Sequence, residues 1–238
     1  MYRIEHAVIL AAGLGTRMRV LTEETPKAML KVNGQRIIDS ILQALKSNGI
    51  SDIVIVTGHR KERFREVVQD YPHVCLVENP YYEDTNNISS LYCVRDFLSN
   101  TMVIEGDLLF HSPEPLAAEY EHSEYNGFWL ESNNPEWIVF PDKEGKITGY
   151  ELDPKRPGWT LCGVSRWTPE DGRKLRDCLE REFDVRHNRD IYWDYLPLEY
   201  YKEMFPVYLR GISPDAQTEL DCLEEIARLD PVYRKYLD

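Results

Sequence analysis

The sequence predicts an α/β fold, a doubly wound and mostly parallel sheet with an inserted antiparallel hairpin. Three observations carry this expectation. The first half of the chain alternates unbroken apolar runs with stretches at helical spacing. The second half holds two half-apolar runs around a polar turn. No linker rich in Gly, Ser or Pro divides the halves, so residues 1–238 are expected to form one domain with halves at 1–110 and 111–238.

Each element has its own signal. AVILAA (7–12) is continuously apolar, as a parallel strand covered on both faces must be. RIIDSILQALKSNG (36–49) places Ile37, Ile38, Ile41, Leu42 and Leu45 on one helical face, with Gly49 as a stop. DIVIVTG (52–58) reads as the second strand, KERFREVVQDY (61–71) as a helix and VCLVENP (74–80) as the third strand. NNISSLYCVRDFL (86–98) opens on polar capping candidates and continues as a helix. TMVIEGDLLF (101–110) is the fourth strand and carries Asp107 near its end. WIVFPDKEGKITGYEL (137–152) is the hairpin, turning at DKEG. LCGVSRW (161–167) is a further strand, and PEDGRKLRDCLEREF (169–183) a helix with proline at its start. An aromatic segment (190–205), the strand VYLRGI (207–212) and a last helix around ELDCLEEIARL (219–229) complete the chain.

Composition narrows the function. With 42% apolar and 29% charged residues the chain is globular, and its net charge of −13 argues against a nucleic-acid partner, which needs a basic face. Local positive charge is nevertheless present: between Gly13 and Arg36, Arg17, Arg19, Lys27, Lys31 and Arg36 face only Glu23 and Glu24. The five cysteines, Cys75, Cys93, Cys162, Cys178 and Cys222, form no CxxC pair and each lies in an apolar or amphipathic pattern, so buried reduced thiols are expected. No targeting stretch or membrane span is evident, and a cytoplasmic protein without membrane insertion is expected.

In an open parallel sheet, ligands bind beyond the carboxyl ends of the strands, and GLGTR (13–17) falls there. Glycine lets main-chain N–H groups turn toward an anion, and Arg17 adds a forked phosphate donor. A bare G-x-G is more often a tight turn than a site. Met18 stands where a dinucleotide fingerprint needs its third glycine, and no Walker sequence occurs.

ILAAGLGTRM together with TPKAML resembles the signature of the nucleotidyltransferases that join a nucleoside triphosphate to a sugar phosphate or choline phosphate. The likeness extends over essentially the whole chain: EGDLLF is similar to the family's metal-binding aspartate after the fourth strand, and ELDCLEEI to its second metal position. It implies a Rossmann-like sheet with 1–110 as the nucleotide-binding half and 111–238 as the acceptor-binding half. It also implies that Ala11, Ala12, Gly13, Leu14, Gly15, Thr16, Arg17, Lys27, Asn87 and Ser90 bind the nucleotide, Arg17 and Lys27 acting in catalysis, while Asp107 and Asp221 hold Mg2+. The chemistry gives these groups work. Nucleophile and triphosphate are both anionic, so cations must screen their repulsion, and an ionised phosphate needs no general base. Taken singly, Asp107 could be a helix cap and Asp221 an acid favoured by a helix dipole.

The aromatics of the second half bear on the acceptor. A quaternary ammonium is held best by aromatic faces with a carboxylate nearby. NNPEWIVF and DIYWDYL offer such groups in Trp137, Tyr192, Trp193 and Asp194, and these stretches, with NPYYEDTNNISSLY and CGVSRW, resemble the bacterial CTP:phosphocholine cytidylyltransferases. The resemblance implies CTP and phosphocholine as substrates, CDP-choline and pyrophosphate as products, and a monomer or homodimer. Core roles for Trp137 and Trp193 remain open. So does an acceptor with a primary ammonium, phosphoethanolamine or 2-aminoethylphosphonate, held by Glu136, Asp190 and Asp194. A sugar-1-phosphate acceptor, a nucleotide-sensing module without turnover and a nicotinamide-dependent oxidoreductase are the further alternatives.

Overall fold

A computed structural model describes residues 1–131, 137–152 and 155–237. Among the described residues nine strands form the main sheet. Its parallel part is β1 (His6–Ala11), β2 (Asp52–Thr57), β3 (Val74–Glu78) and β4 (Thr101–Glu105), in the spatial order β3-β2-β1-β4. The connecting helices are α1 (Ile37–Ser47), α2 (Arg65–Asp70) and α3 (Ile88–Cys93). Strand alternation sorts the apolar residues onto two faces. Ala7, Ile9, Ile53 and Ile55 pack against Ile38, Ile41, Leu42 and Leu45 of α1 and Val67 of α2. Val8, Leu10, Val54 and Val56 pack against Ile88 and Leu91 of α3 on the other side. Removing each such side chain from water contributes about 1.5–3 kcal/mol, which is why unbroken apolar strands make a two-sided sheet.

The fourth strand departs from the sequence expectation. It does not run through 101–110 but breaks at Gly106–Asp107, and β5 (Leu108–Phe110) continues into a separate two-stranded sheet. The break is built in: Gly106 donates its N–H to Leu10 O at 2.9 Å, and a Cβ there would lie 2.7 Å from the same oxygen, so only glycine permits the approach. Two expected helices are also interrupted. The 61–71 segment begins as a 3-10 turn, Lys61–Phe64, and the 86–98 segment divides at Val94.

In the second half, β6 (Glu124–Leu130), the hairpin β7 (Ile138–Pro141) and β8 (Ile147–Glu151), and the ten-residue β9 (Gly158–Trp167) extend the sheet. Strand β9 is the organising element. Its C-terminal part, Val164–Trp167, pairs antiparallel with β4, and on the same edge Trp159 and Thr160 pair with β7. Strand β6 follows the opposite edge. The sheet edge therefore forks at Leu161–Gly163, between β4 and the hairpin. Helix α4 (Pro169–Glu180) is capped by Thr168, which accepts from the Asp171 N–H, and it ends in a π turn, Arg181–Val185, within the stretch expected to be one helix. Strand β10 (Tyr208–Gly211) runs parallel to β6, and β11 (Gln217–Glu219) pairs antiparallel with β5. Helix α5 (Leu223–Leu229) starts after Cys222, so Asp221 precedes the helix rather than opening it. Leu220, Leu223 and Ile226 join Met18, Leu30, Val32 and Ile37 in a third apolar cluster, which locks the end of the chain against the glycine loop.

No helix among the described residues is long and apolar enough to cross a membrane. The cysteines are free, but their expected burial holds only for Cys162 and Cys178; Cys93 and Cys222 are half-buried, and Cys75 on the edge strand β3 faces solvent.

Candidate functional site

Two cavities meet at the carboxyl ends of β1 and β4, where the strand order reverses. The first, about 410 Å3, is lined by the loop Ala11–Arg17, by Lys27, and by Asn87 and Ser90, so every residue expected to contact a nucleotide borders one space. Gly15 has φ +64°, a left-handed conformation that starts the 3-10 turn Thr16–Thr22; a Cβ there would stand 2.9 Å from Thr22 Cγ2. Thr22 in turn donates its hydroxyl to Gly15 O at 2.9 Å. Lys27 opens a second 3-10 turn after Pro26, and the buried Ala28 and Met29 anchor it.

The acids come from the far end of the sequence as well. Leu108 pairs with Glu219 across the β5–β11 ladder, and Leu220 donates its N–H to Asp107 O at 3.2 Å. This register sets Asp107, Glu219 and Asp221 together, with a carboxylate oxygen of each within 4.8 Å of the others. Lys27 Nζ donates to Asp107 Oδ2 at 2.7 Å and to Asp221 Oδ1 at 3.0 Å, and Arg17 Nη2 donates to Asp221 Oδ1 at 2.7 Å. Burial disfavours the Lys27 ammonium, yet the Asp107 and Asp221 carboxylates outweigh it and hold its pKa above the ordinary value. Asp107 Oδ1 is buried and accepts no hydrogen bond among the described residues. Three clustered carboxylates with one orphaned oxygen suit a divalent cation that takes oxygen ligands. Glu219 carried no distinct signal in the sequence; its role depends on the β5–β11 register.

The second cavity, about 560 Å3, lies in the fork of β9. It is lined by Trp137, Tyr192, Trp193 and Asp194, and also by Tyr125, Ser165 and Glu105. Trp137 meets Tyr192 edge-on at 5.8 Å and stacks on Tyr150 at 5.2 Å, with Tyr195 at 5.1 Å. Trp193 differs from the other three expected residues: it is 3% exposed, stacks on Tyr125 at 5.9 Å and belongs to the apolar core. Asp194 accepts from Tyr125 Oη at 2.9 Å. Burial pushes its pKa up to about 7, a rise the Tyr125 hydrogen bond opposes. Glu105 faces both cavities, and burial, then the charges of Asp107 and Asp194, push its carboxyl well above the usual range. Of the acids considered for a primary ammonium, Asp190 borders the nucleotide-side cavity rather than this one, and Glu136 lies outside the described residues.

Arg17, Asn87, Glu105, Asp107 and Asp221 line both cavities. The acid cluster and its cations therefore stand where the contents of the two spaces would meet. Asn79 is a further residue without a sequence signal. It is buried, and its amide donates to Ser89 Oγ at 2.8 Å and Ser90 Oγ at 3.1 Å, fixing the floor beneath the first cavity.

Comparison with known proteins agrees with this geometry. Residues 7–210 match the family described as MobA-like NTP transferase domain. The choline-phosphate cytidylyltransferase of Streptococcus pneumoniae is 34% identical over 96% of this chain and 98% of its own. The 2-aminoethylphosphonate cytidylyltransferase of Lancefieldella rimae is 30% identical over 96% of this chain and 93% of its own. Among solved structures, the S. pneumoniae CTP:phosphocholine cytidylyltransferase LicC superposes with a TM-score of 0.86 at 32% identity, covering 98% of this chain and all (100%) of that one.

Proposed function

The chain belongs to the MobA-like NTP transferases, and from that membership we propose that it transfers CMP from CTP to phosphocholine, releasing CDP-choline and pyrophosphate. The observation that carries the reading is the meeting of Asp107, Glu219, Asp221, Lys27 and Arg17 between a glycine-loop cavity and an aromatic, acidic one.

In this reading the triphosphate lies along Ala11–Arg17, where main-chain N–H groups and Thr16 meet its oxygens, with Asn87 and Ser90 on the nucleoside side. The acceptor's trimethylammonium faces Trp137 and Tyr192, with the Asp194 carboxylate supplying the opposite charge. Its phosphate then points toward the shared wall of the two cavities. An oxygen of that phosphate attacks the α-phosphorus as the bond to pyrophosphate breaks. Lys27 and Arg17 counter the negative charge that builds on the phosphoryl oxygens. Since the attacking phosphate is already ionised, no proton has to be removed. A Mg2+ ion held by Asp107, Glu219 and Asp221 would supply further neutralisation of the triphosphate.

The acceptor 2-aminoethylphosphonate is the second reading. It is favoured by Glu105, a second carboxyl in the acceptor cavity that a primary ammonium could use as a hydrogen-bond acceptor. The test crosses CTP, UTP, ATP and GTP with phosphocholine, phosphoethanolamine, 2-aminoethylphosphonate and a sugar 1-phosphate, following pyrophosphate. Rapid release with CTP and phosphocholine is expected. Preference for the aminophosphonate supports the second reading, and preference for a sugar phosphate sinks both.

A further inference from the structure

We infer that His59 and Arg60 are positioning residues that bracket the glycine loop at both flanks and so set where its phosphate-facing groups stand. The identity of the loop's ligand rests on the proposed reaction; the bracket rests on contacts of its own. Gly13, Leu14, Thr16 and Arg17 are exposed, as suits a loop that offers main-chain N–H groups to a ligand. Such a loop has to be fixed through its flanks. The turn between β2 and α2 supplies the fixing. On the entry side, His59 donates its main-chain N–H to Ala12 O at 3.1 Å. On the exit side, the ring of the same residue meets Thr22 O at 2.5 Å through Nε2. A carbonyl only accepts, so this nitrogen carries the proton. Arg60 extends the grip: its Nε donates to Glu23 O at 2.8 Å and its Nη2 to Glu24 Oε1 at 2.9 Å. One dipeptide therefore holds the chain before Gly13 and again after Leu21, shortly before Lys27.

Thr22 links the bracket to the site. Its carbonyl accepts from His59 while its hydroxyl donates to Gly15 O, so the imidazole, Thr22 and the left-handed Gly15 stand in series. Without the ring, Thr22 is free to shift and Gly15 with it. The N–H groups of 13–17 and the Arg17 guanidinium then lose register with Lys27, which the buried Ala28 and Met29 anchor separately. A triphosphate that has to meet both sides meets one of them badly. Arg60 itself has φ +48°, a left-handed conformation that is unfavourable for a residue with a side chain. Strain of this kind persists where the surroundings demand it, and it clusters at functional sites.

The test compares wild type with three variants of the full chain. His59→Ala removes the ring. His59→Gln returns a side-chain N–H to the reach of Nε2. Arg60→Gly removes the guanidinium and relieves the left-handed strain. Pyrophosphate release reads the kinetics with CTP and phosphocholine, and thermal melts read stability. His59→Ala is expected to lower kcat/KM for CTP by about 10- to 100-fold, the scale of a slightly misplaced reacting group, with KM for phosphocholine unchanged. His59→Gln recovers most of that loss. Arg60→Gly melts at or above the wild-type temperature and still loses kcat/KM for CTP. Wild-type CTP kinetics in His59→Ala, or no recovery in His59→Gln, overturn the bracket. So do matching rises in both KM values together with a fall in Tm, the mark of a turn that only supports the fold. Failure of the proposed reaction has a different signature: wild type itself prefers another triphosphate or releases pyrophosphate with none of the acceptors. Calorimetry with the same triphosphates then replaces the kinetics. A triphosphate that His59→Ala binds as tightly as wild type removes the inference, and so does a wild type that binds none.

Discussion

Lys27 Nζ lies 2.7 Å from Asp107 Oδ2 and 3.0 Å from Asp221 Oδ1, so one ammonium spans carboxylates from opposite halves of the chain. All three side chains are largely shielded, with 14%, 22% and 15% exposure, so their charges are felt strongly. Lys27 and Arg17 thus partly balance the three clustered carboxylates, and in the proposed reaction bound ligands would exchange with these ion-pair partners.

Replacing Lys27 by Met should separate two effects. Turnover falls by about 10²–10³, as when a donor to a charged transition state is removed. Mn2+ binding without nucleotide becomes roughly tenfold tighter, because Asp107 and Asp221 lose the cation that occupied them. Pyrophosphate release and Mn2+ calorimetry read the two effects, and unchanged Mn2+ affinity contradicts the exchange of partners.

If the proposed reaction holds, Asp194 should make acceptor binding depend on pH. Its pKa of about 7 leaves it neutral in acid and anionic above neutrality, so KM for a cationic acceptor falls as pH rises through 7. The acceptor's phosphate titrates near pH 6, so the profile is compared with that of Asp194→Asn, which should lack the component near 7. Identical profiles would exclude the carboxylate from head-group binding.

The same residue lowers stability. Between the ordinary 3.8 and the folded value of about 7, the native chain binds the Asp194 proton and the unfolded chain does not. Stability therefore declines as pH rises through that window and levels off above it. Asp194→Asn should melt like wild type near pH 4 and higher at pH 8, with a gain of up to about 4 kcal/mol. Scanning calorimetry at the two pH values checks the sign.

Trp137 and Trp193 should separate by phenotype. Trp137→Ala raises KM for the acceptor with little change for CTP, because the ring borders the acceptor cavity and not the nucleotide-side one. Trp193→Ala removes a core ring that stacks on Tyr125, so it costs about 3–5 kcal/mol of stability and lowers Tm. Steady-state kinetics and thermal melts distinguish the two.

Gly106→Ala should be among the most damaging small substitutions. Its Cβ would fall 2.7 Å from Leu10 O, forcing β1 and the β4–β5 break apart just where Asp107 departs. Loss of several degrees in Tm together with loss of metal-dependent turnover is expected; wild-type activity would mean that the backbone yields easily.

The parallel half of the fold was legible because its signals are local. A strand buried on both faces must be apolar throughout, and Ile38, Ile41, Leu42 and Leu45 could share one helical face only in a helix. The glycine loop was legible for a similar reason, since Gly15 needs its left-handed φ whatever surrounds it. What escaped depends on pairing between distant segments. Glu219 reaches Asp107 through the β5–β11 register, and the break before β5 depends on Gly106 finding Leu10 O. Cys75 pointed outward because β3 is the sheet's edge, a property of strand order that its own apolar run does not encode. Trp137 and Trp193 carry equal weight in the sequence and both line the second cavity; only the tertiary packing separates the half-buried ring from the one that is also part of the core.

Arg17 and Asp221 touch across 204 positions, held by the two-stranded β5–β11 ladder and the small cluster of Met18, Ile37, Leu223 and Ile226 rather than by the main sheet. Seven buried side chains secure a short terminal helix there, far fewer than secure the β-strands. On gentle heating or in dilute urea this clasp should slip before the central layers do. The enzyme would fall silent while its circular dichroism still reads native, and would recover on cooling without having to fold again.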